Sequence, residues 1–123
     1  MKYTIDKHER YVVIEPLTKQ LNGEVAAFLK GEFMLRNSSG QRNIILDLSN
    51  VEESDEEGIR MGLLAQRLCG AVGGVFILTG VCSQIADLLR MAGLENNFTI
   101  VKSISKAEDL IFGSEIQREL RGE

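Results

Sequence analysis

The stretch NIILDLSNVEESDEEGIRM, Asn43 to Met61, decides how the rest of the chain is read. Its first half, Asn43-Ile44-Ile45-Leu46-Asp47-Leu48, is a largely apolar β-type run, the pattern of a strand buried on both faces in a sheet covered by helices. Five carboxylates then fall within six positions, Glu52 to Glu57, interrupted only by Ser54. From Asp55 onward the apolar residues recur at helical spacing, predicting a second helix over residues 55–69. A buried strand that passes through a short acidic loop into a helix is the repeating unit of an α/β fold.

The flanking elements fit that unit. Tyr3-Thr4-Ile5 and Tyr11-Val12-Val13-Ile14-Glu15, separated by the polar Asp6-Lys7-His8-Glu9-Arg10, predict an antiparallel hairpin that Pro16 ends. Val25, Ala26, Phe28, Leu29, Phe33 and Met34 place a first helix over 22–36, closed by the turn residues Asn37-Ser38-Ser39-Gly40. Val75-Phe76-Ile77-Leu78-Thr79 reads as a second buried strand, Ser83 to Met91 as a third helix ended by Gly93, and Phe98-Thr99-Ile100-Val101 as a last strand. Ser105-Lys106-Ala107-Glu108 has the spacing of a capping box and would open a fourth helix. Parallel strands need crossovers of this length, so a mixed sheet of four to five strands, with an N-terminal hairpin and about four helices packed on it, is expected. Residues 1–113 form the expected domain, and the polar 114–123 a helix extension or tail.

Composition removes several classes of function. The 123 residues are 44% hydrophobic and 26% charged, enough for one soluble domain that buries roughly two-thirds of its unfolded surface without disulfide or metal. A net charge of −4, with the 14 Lys and Arg scattered along the chain, disfavours nucleic acid and anionic membranes as partners. Leu68 to Ala86 lacks charge, yet its four glycines, Thr79, Ser83 and Gln84 read as helix end, turn, strand and helix start instead of a membrane span. Cys69 and Cys82 lack metal-ligand spacing, and the lone His8 lies in a polar turn. No signal segment is evident, and a cytoplasmic location is expected. There is no glycine-rich phosphate loop, no nucleophile with a histidine partner and no paired ligand motif, so no catalytic residue, cofactor or metal is expected.

Three segments resemble the STAS domain of bacterial anti-sigma factor antagonists, and the resemblance covers nearly the whole chain. Ile44-Ile45-Leu46-Asp47-Leu48-Ser49-Asn50-Val51 is similar to the family's strand leading into its regulatory loop. Asp55-Glu56-Glu57-Gly58-Ile59 falls without gaps on the family's Asp-Ser-Ser-Gly-Leu at the start of the next helix. Gly74 to Leu78 and Ile85 to Phe98, with Ala92-Gly93-Leu94 and the later Phe98, follow the family's third motif. The resemblance implies a STAS-type fold and partner switching: a non-catalytic domain binds a kinase-type anti-sigma factor or related ATPase regulator, and phosphorylation of the serine before the glycine breaks the complex. It also leaves room for a homodimer. Here Glu57 occupies the acceptor position and Glu56 the one before it, and neither has a hydroxyl to phosphorylate.

Two readings of Glu57 stand side by side. In one, Ser54-Asp55-Glu56-Glu57 is a capping box with Ser54 as N-cap, its acidic residues adding about 0.3–1 kcal/mol each at the helix start. In the other, Glu57 supplies a permanent charge where the resembling family has a conditional one, weaker than a phosphate's charge of about −1.5 to −2. An EF-hand type of calcium loop does not fit the spacing of the acidic cluster. On a helix turning about 100° per residue, Arg60 and Arg67 share a stripe flanked by Leu63 and Leu64. The expected partner surface is Ser54, Asp55, Glu56, Glu57, Gly58, Arg60, Leu64 and Arg67, with the loop Ser49 to Glu53. Two other roles remain compatible with the sequence: a STAS scaffold or transporter-associated subunit, and a degenerate phosphoacceptor receiver, for which Asp47 and Lys102 supply a superficial match without the acidic pair that holds magnesium.

Overall fold

The structure, a computed structural model, describes residues 2–122. In chain order, β1 (Tyr3–Lys7), β2 (Val12–Pro16) and the two-residue β3 (Gln20–Leu21) precede α1 (Gly23–Ser38). Next come β4 (Ile44–Asp47), β5 (Glu53–Ser54), α2 (Glu56–Arg60), α3 (Gly62–Ala71), β6 (Phe76–Thr79) and α4 (Ser83–Met91). A 3-10 turn at Glu95–Asn97, β7 (Thr99–Val101) and α5 (Ile104–Leu120) complete the chain. The main sheet has the order β1-β2-β4-β6-β7. Only the β1–β2 hairpin is antiparallel, with Tyr3 opposite Pro16 and Lys7 opposite Val12, and every later neighbour is parallel. With α2 and α3 counted as one interrupted helix, this is the α/β architecture of five mixed strands and four helices.

Alternation along the central strands divides the core in two. Val12, Ile14, Ile44, Leu46, Phe76 and Leu78 face α1 to α4, where Leu29 and Phe33 of α1, Ala65 and Cys69 of α3 and Leu89 of α4 are buried with them. Tyr11, Val13, Ile45 and Ile77 face the other way, onto Ala107 and Ile111 of α5. The uncharged Leu68 to Ala86 is helix end, turn, strand and helix start, and among the described residues no helix is long and apolar enough to cross a membrane. Burial pushes the Cys69 thiol up to about 11, which keeps it protonated and inert.

Two helix starts differ from expectation. Helix α5 begins at Ile104, because the Ser103 hydroxyl accepts the Lys106 N–H at 3.2 Å and acts as its N-cap. Ser105 therefore lies inside the helix, and Glu108 is not part of a capping box: its carboxylate accepts the Tyr11 hydroxyl. Two serines two positions apart offer the same local chemistry, and docking on Tyr11 selects the earlier one. Helix α5 runs unbroken past Gly113 to Leu120, so residues 114–120 extend it.

The Tyr11–Glu108 contact has a pH signature. Tyr11 is 3% exposed, and its phenol is pushed from the ordinary 10.0 up to about 12, first by burial, then by the hydrogen bond and charge of Glu108 and the charge of Asp6. The folded state holds a proton that the unfolded chain releases near pH 10, so this contribution to stability is complete below pH 10 and is lost as the pH rises toward 12. Urea midpoints measured at pH 9 and pH 11.5 should fall further for the parent than for Tyr11→Phe.

Candidate functional site

The acidic loop is held by a second, two-stranded sheet. Strands β3 and β5 pair in parallel, Gln20 opposite Glu53 and Leu21 opposite Ser54. Upstream, the Asp47 carboxylate accepts both the Ser49 N–H at 3.0 Å and its hydroxyl at 2.5 Å, turning the chain out of β4. Lys19 O accepts the N–H groups of Glu52 and Glu53 at 2.8 and 3.1 Å. Gln84, at the start of α4, accepts the Ser54 N–H at 3.2 Å. These residues surround a shallow cavity of about 250 Å³ lined by Gln20, Leu21, Asn22, Glu53, Ser54, Asp55 and Gln84.

Asp55, not Ser54, caps α2. Its backbone is extended, with φ −92° and ψ 175°, and its Oδ1 accepts the Gly58 N–H at 2.6 Å. The Ser54 hydroxyl is taken by the small sheet: Oγ donates to Leu21 O at 3.0 Å, with Asp55 O a further acceptor at 2.8 Å. This corrects the expected capping box, because pairing with β3 claims Ser54 before the helix can. Glu56, Glu57 and Gly58 thereby become the first three helical residues.

Gly58 is where the two backbones meet. A Cβ added there would fall 2.0 Å from the Leu21 carbonyl oxygen and 2.6 Å from its carbon, far inside van der Waals contact. The start of α2 is thus wedged under β3, and the side chains before Gly58 are held in a fixed direction. Both Glu56 and Glu57 are exposed. Glu56 pairs with Arg60 one turn on, at 2.8 Å, a contact worth about 0.3–0.5 kcal/mol at a surface. Glu57 makes no hydrogen bond or ion pair among the described residues, and its carboxylate lies against Gly23 at the start of α1.

The single helix expected over 55–69 is interrupted at Met61. There the Leu64 N–H bonds Met61 O at 3.2 Å, three residues back instead of four. The cause is packing: Met61 is 1% exposed, and Gly62 lies so close to the Phe98 ring that an added Cβ would stand 2.9 Å from Cε1. Arg60 consequently ends α2 while Leu64 and Arg67 belong to α3. Leu63 packs partly against the main core, Leu64 is half-buried, and Arg67 is exposed. The structure therefore joins Ser54, Asp55 and Gly58 in one hydrogen-bonded turn, pairs Glu56 with Arg60, and carries Leu64 and Arg67 on the next helical segment.

Sequence reading missed three contributors to this region: Leu21, whose carbonyl meets both Ser54 and Gly58; Gln84, which closes the β5 edge; and Gly23, which lies under Glu57. Asn22-Gly23 is legible as a helix start, and Asn22 Oδ1 does accept the Val25 N–H at 3.0 Å. Nothing local, however, links it to a glutamate on another helix. Among the described residues no three of His, Cys, Asp and Glu are grouped as a metal site requires.

The family model for the STAS domain matches residues 3–107. The chain belongs to the STAS domain family. It is 25% identical over 103 residues to BtrV of Bordetella bronchiseptica, assigned as an anti-sigma factor antagonist, a match covering 84% of this chain and 88% of BtrV. The crystal structure of a Thermotoga maritima protein with the same assignment superposes with a TM-score of 0.80 at 24% identity, over 89% of this chain and 93% of that one. A serine-to-glutamate variant of RsbS from Moorella thermoacetica has a TM-score of 0.74 at 25% identity, over 92% and 97% of the two chains. The named relatives of this STAS domain are thus anti-sigma factor antagonists, a group of regulators without catalytic activity. In this STAS domain the acidic loop and α2 follow β4, and Glu57 stands on the first turn of that helix.

Proposed function

We propose that the domain binds a kinase-type anti-sigma factor through the start of α2, and that Glu57 occupies the position at which its relatives carry a phosphorylatable serine. The observation that carries this reading is the state of Glu57: exposed, free of hydrogen bonds and ion pairs among the described residues, and directly before a glycine locked under Leu21. A residue needed only to cap a helix would be bonded to the helix. Asp55 already performs that task. The Moorella RsbS protein bears glutamate in place of a serine, which supports the compatibility of this fold with such a replacement.

A carboxylate carries one charge against the phosphate's roughly 1.5 to 2 and offers fewer acceptor oxygens, so the complex would be set at a fixed strength instead of being switched. The contact surface comprises Ser54, Asp55, Glu56, Glu57, Gly58 and Arg60, with Leu64 and Arg67 at its far side. Affinity purification from the native cell should recover a histidine-kinase-like ATPase. With that protein in hand, Glu57→Lys, which removes the negative charge standing where a complex-breaking phosphate would, is expected to strengthen binding at least tenfold by calorimetry. Glu57→Ser incubated with the kinase and ATP should gain one phosphate by intact mass, while the parent gains none. An unchanged or weaker affinity for Glu57→Lys, or recovery of a transporter ATPase or a homotypic assembly in place of the kinase, would overturn the reading.

A further inference from the structure

The Glu57 carboxylate rests on the first residue of α1. A Cβ added to Gly23 would fall 2.7 Å from Oε2 and 2.8 Å from both Cδ and Oε1, so no larger residue fits while the carboxylate keeps its place. At that end of α1, Asn22 Oδ1 takes the Val25 N–H and Asn22 O takes the Ala26 N–H at 2.8 Å. The N–H groups of Gly23 and Glu24 precede the first intrahelical bond and have no acceptor within the helix. A carboxylate beside them is favoured by the positive end of the helix dipole. Glu57 itself stands on the first turn of α2, so its carboxylate reaches from one helix to the start of another.

We propose that Gly23 is a positioning residue: by lacking a side chain it holds the Glu57 carboxylate over the start of α1, and so sets how strongly a partner senses that charge. The second half of this statement rests on the reading that a kinase-type partner contacts Glu57. In this pose the charge is shared with α1. A methyl group at residue 23 pushes the carboxylate outward without removing it. The displaced group is the tip of a flexible side chain, and alanine is a good residue for a first helical turn, so Gly23→Ala is expected to fold as the parent does.

Two measurements test the proposal. In the free domain, the amide ¹H–¹⁵N resonances of Gly23 and Glu24 should move on Glu57→Gln. In a Gly23→Ala background the Glu24 resonance should be unmoved by the same change. With the recovered kinase, Gly23→Ala should weaken binding at least fivefold, and less than twofold in a Glu57→Ala background, a dependence that a merely structural effect of residue 23 would not produce. Silent amides in the parent, or an equal change of affinity in both backgrounds, overturns the assignment of Gly23. Responsive amides with no kinase-type partner bound would support the placement of the carboxylate and sink the partner reading alone.

Discussion

Gly58→Ala is expected to destabilise the domain by about 3 kcal/mol, the upper part of the range for overpacking a filled site. The new methyl would stand 2.0 Å from the Leu21 carbonyl oxygen, 2.6 Å from its carbon and 2.8 Å from Ser54 Oγ. Two of those atoms are backbone, and β3 cannot yield without giving up its pairing with β5. The Ser54 hydroxyl would also lose its acceptor, and Asp55 its hold on the Gly58 N–H at 2.6 Å. In a domain of this size the melting midpoint should fall by roughly 10 °C. Gly31→Ala supplies the contrast: nothing lies within 4 Å of a Cβ there, and as an exposed helical glycine it should gain stability, by about 0.5–1 kcal/mol. A Gly58→Ala protein as stable as the parent would mean that β3 and α2 are not in the contact described. Because Glu57 takes its direction from this wedge, the variant should also bind a partner more weakly than its residual folded fraction explains.

Asn43→Leu, which keeps the number of side-chain heavy atoms, is expected to cost about 3 kcal/mol, chiefly through unsatisfied groups. Asn43 is 1% exposed, and its amide joins three parts of the fold. Nδ2 donates to Arg10 O at 2.8 Å and to Glu115 Oε1 at 2.9 Å, while Oδ1 accepts the Val75 N–H at 2.9 Å. Glu115, 4% exposed, also accepts Arg42 Nη2 at 3.1 and 3.2 Å. Removing the amide strands the Val75 N–H and the Arg10 carbonyl, and leaves a buried carboxylate with only the arginine. A buried pair is weak evidence of net stability, but a buried charge deprived of partners is costly. The urea midpoint should drop accordingly, and amides in the second half of α5 should exchange faster, since Glu115 anchors that helix to the sheet. A loss below 1 kcal/mol would show that Asn43 is not the junction of these elements. Residue 115 lies beyond the 3–107 span matched by the family model, so the anchor belongs to the extension of α5 and not to the matched region.

These two sites mark the boundary between what is legible in the chain and what is not. The order of the five main-sheet strands and of the helices was readable because the central strands are apolar runs bounded by turn residues and the helices show their period, both properties of neighbouring positions, whereas the two-residue β3 and β5 carry no such pattern. A helix start at Asp55-Glu56-Glu57-Gly58 was readable for the same reason. What local pattern could not supply was the owner of each polar group. Ser54 and Asp55 have similar capping ability, and Ser103 and Ser105 likewise. The choice in each case was made by a residue far along the chain: Leu21, whose carbonyl takes the Ser54 hydroxyl, and Tyr11, whose phenol engages Glu108. The unbroken helix over 55–69 failed similarly, for the Phe98 ring that presses on Gly62 is more than thirty positions away.

By itself, then, the sequence determined the class of fold, the order of the main-sheet strands and helices, and the presence of a glutamate directly before Gly58. Tertiary structure decided that Asp55 caps α2, that Gly58 lies against the Leu21 backbone, and that the Glu57 carboxylate stands over Gly23. Periodicity and turn chemistry arise from residues a few positions apart, whereas steric exclusion and hydrogen-bond competition arise between segments that only the folded chain brings within a few ångströms.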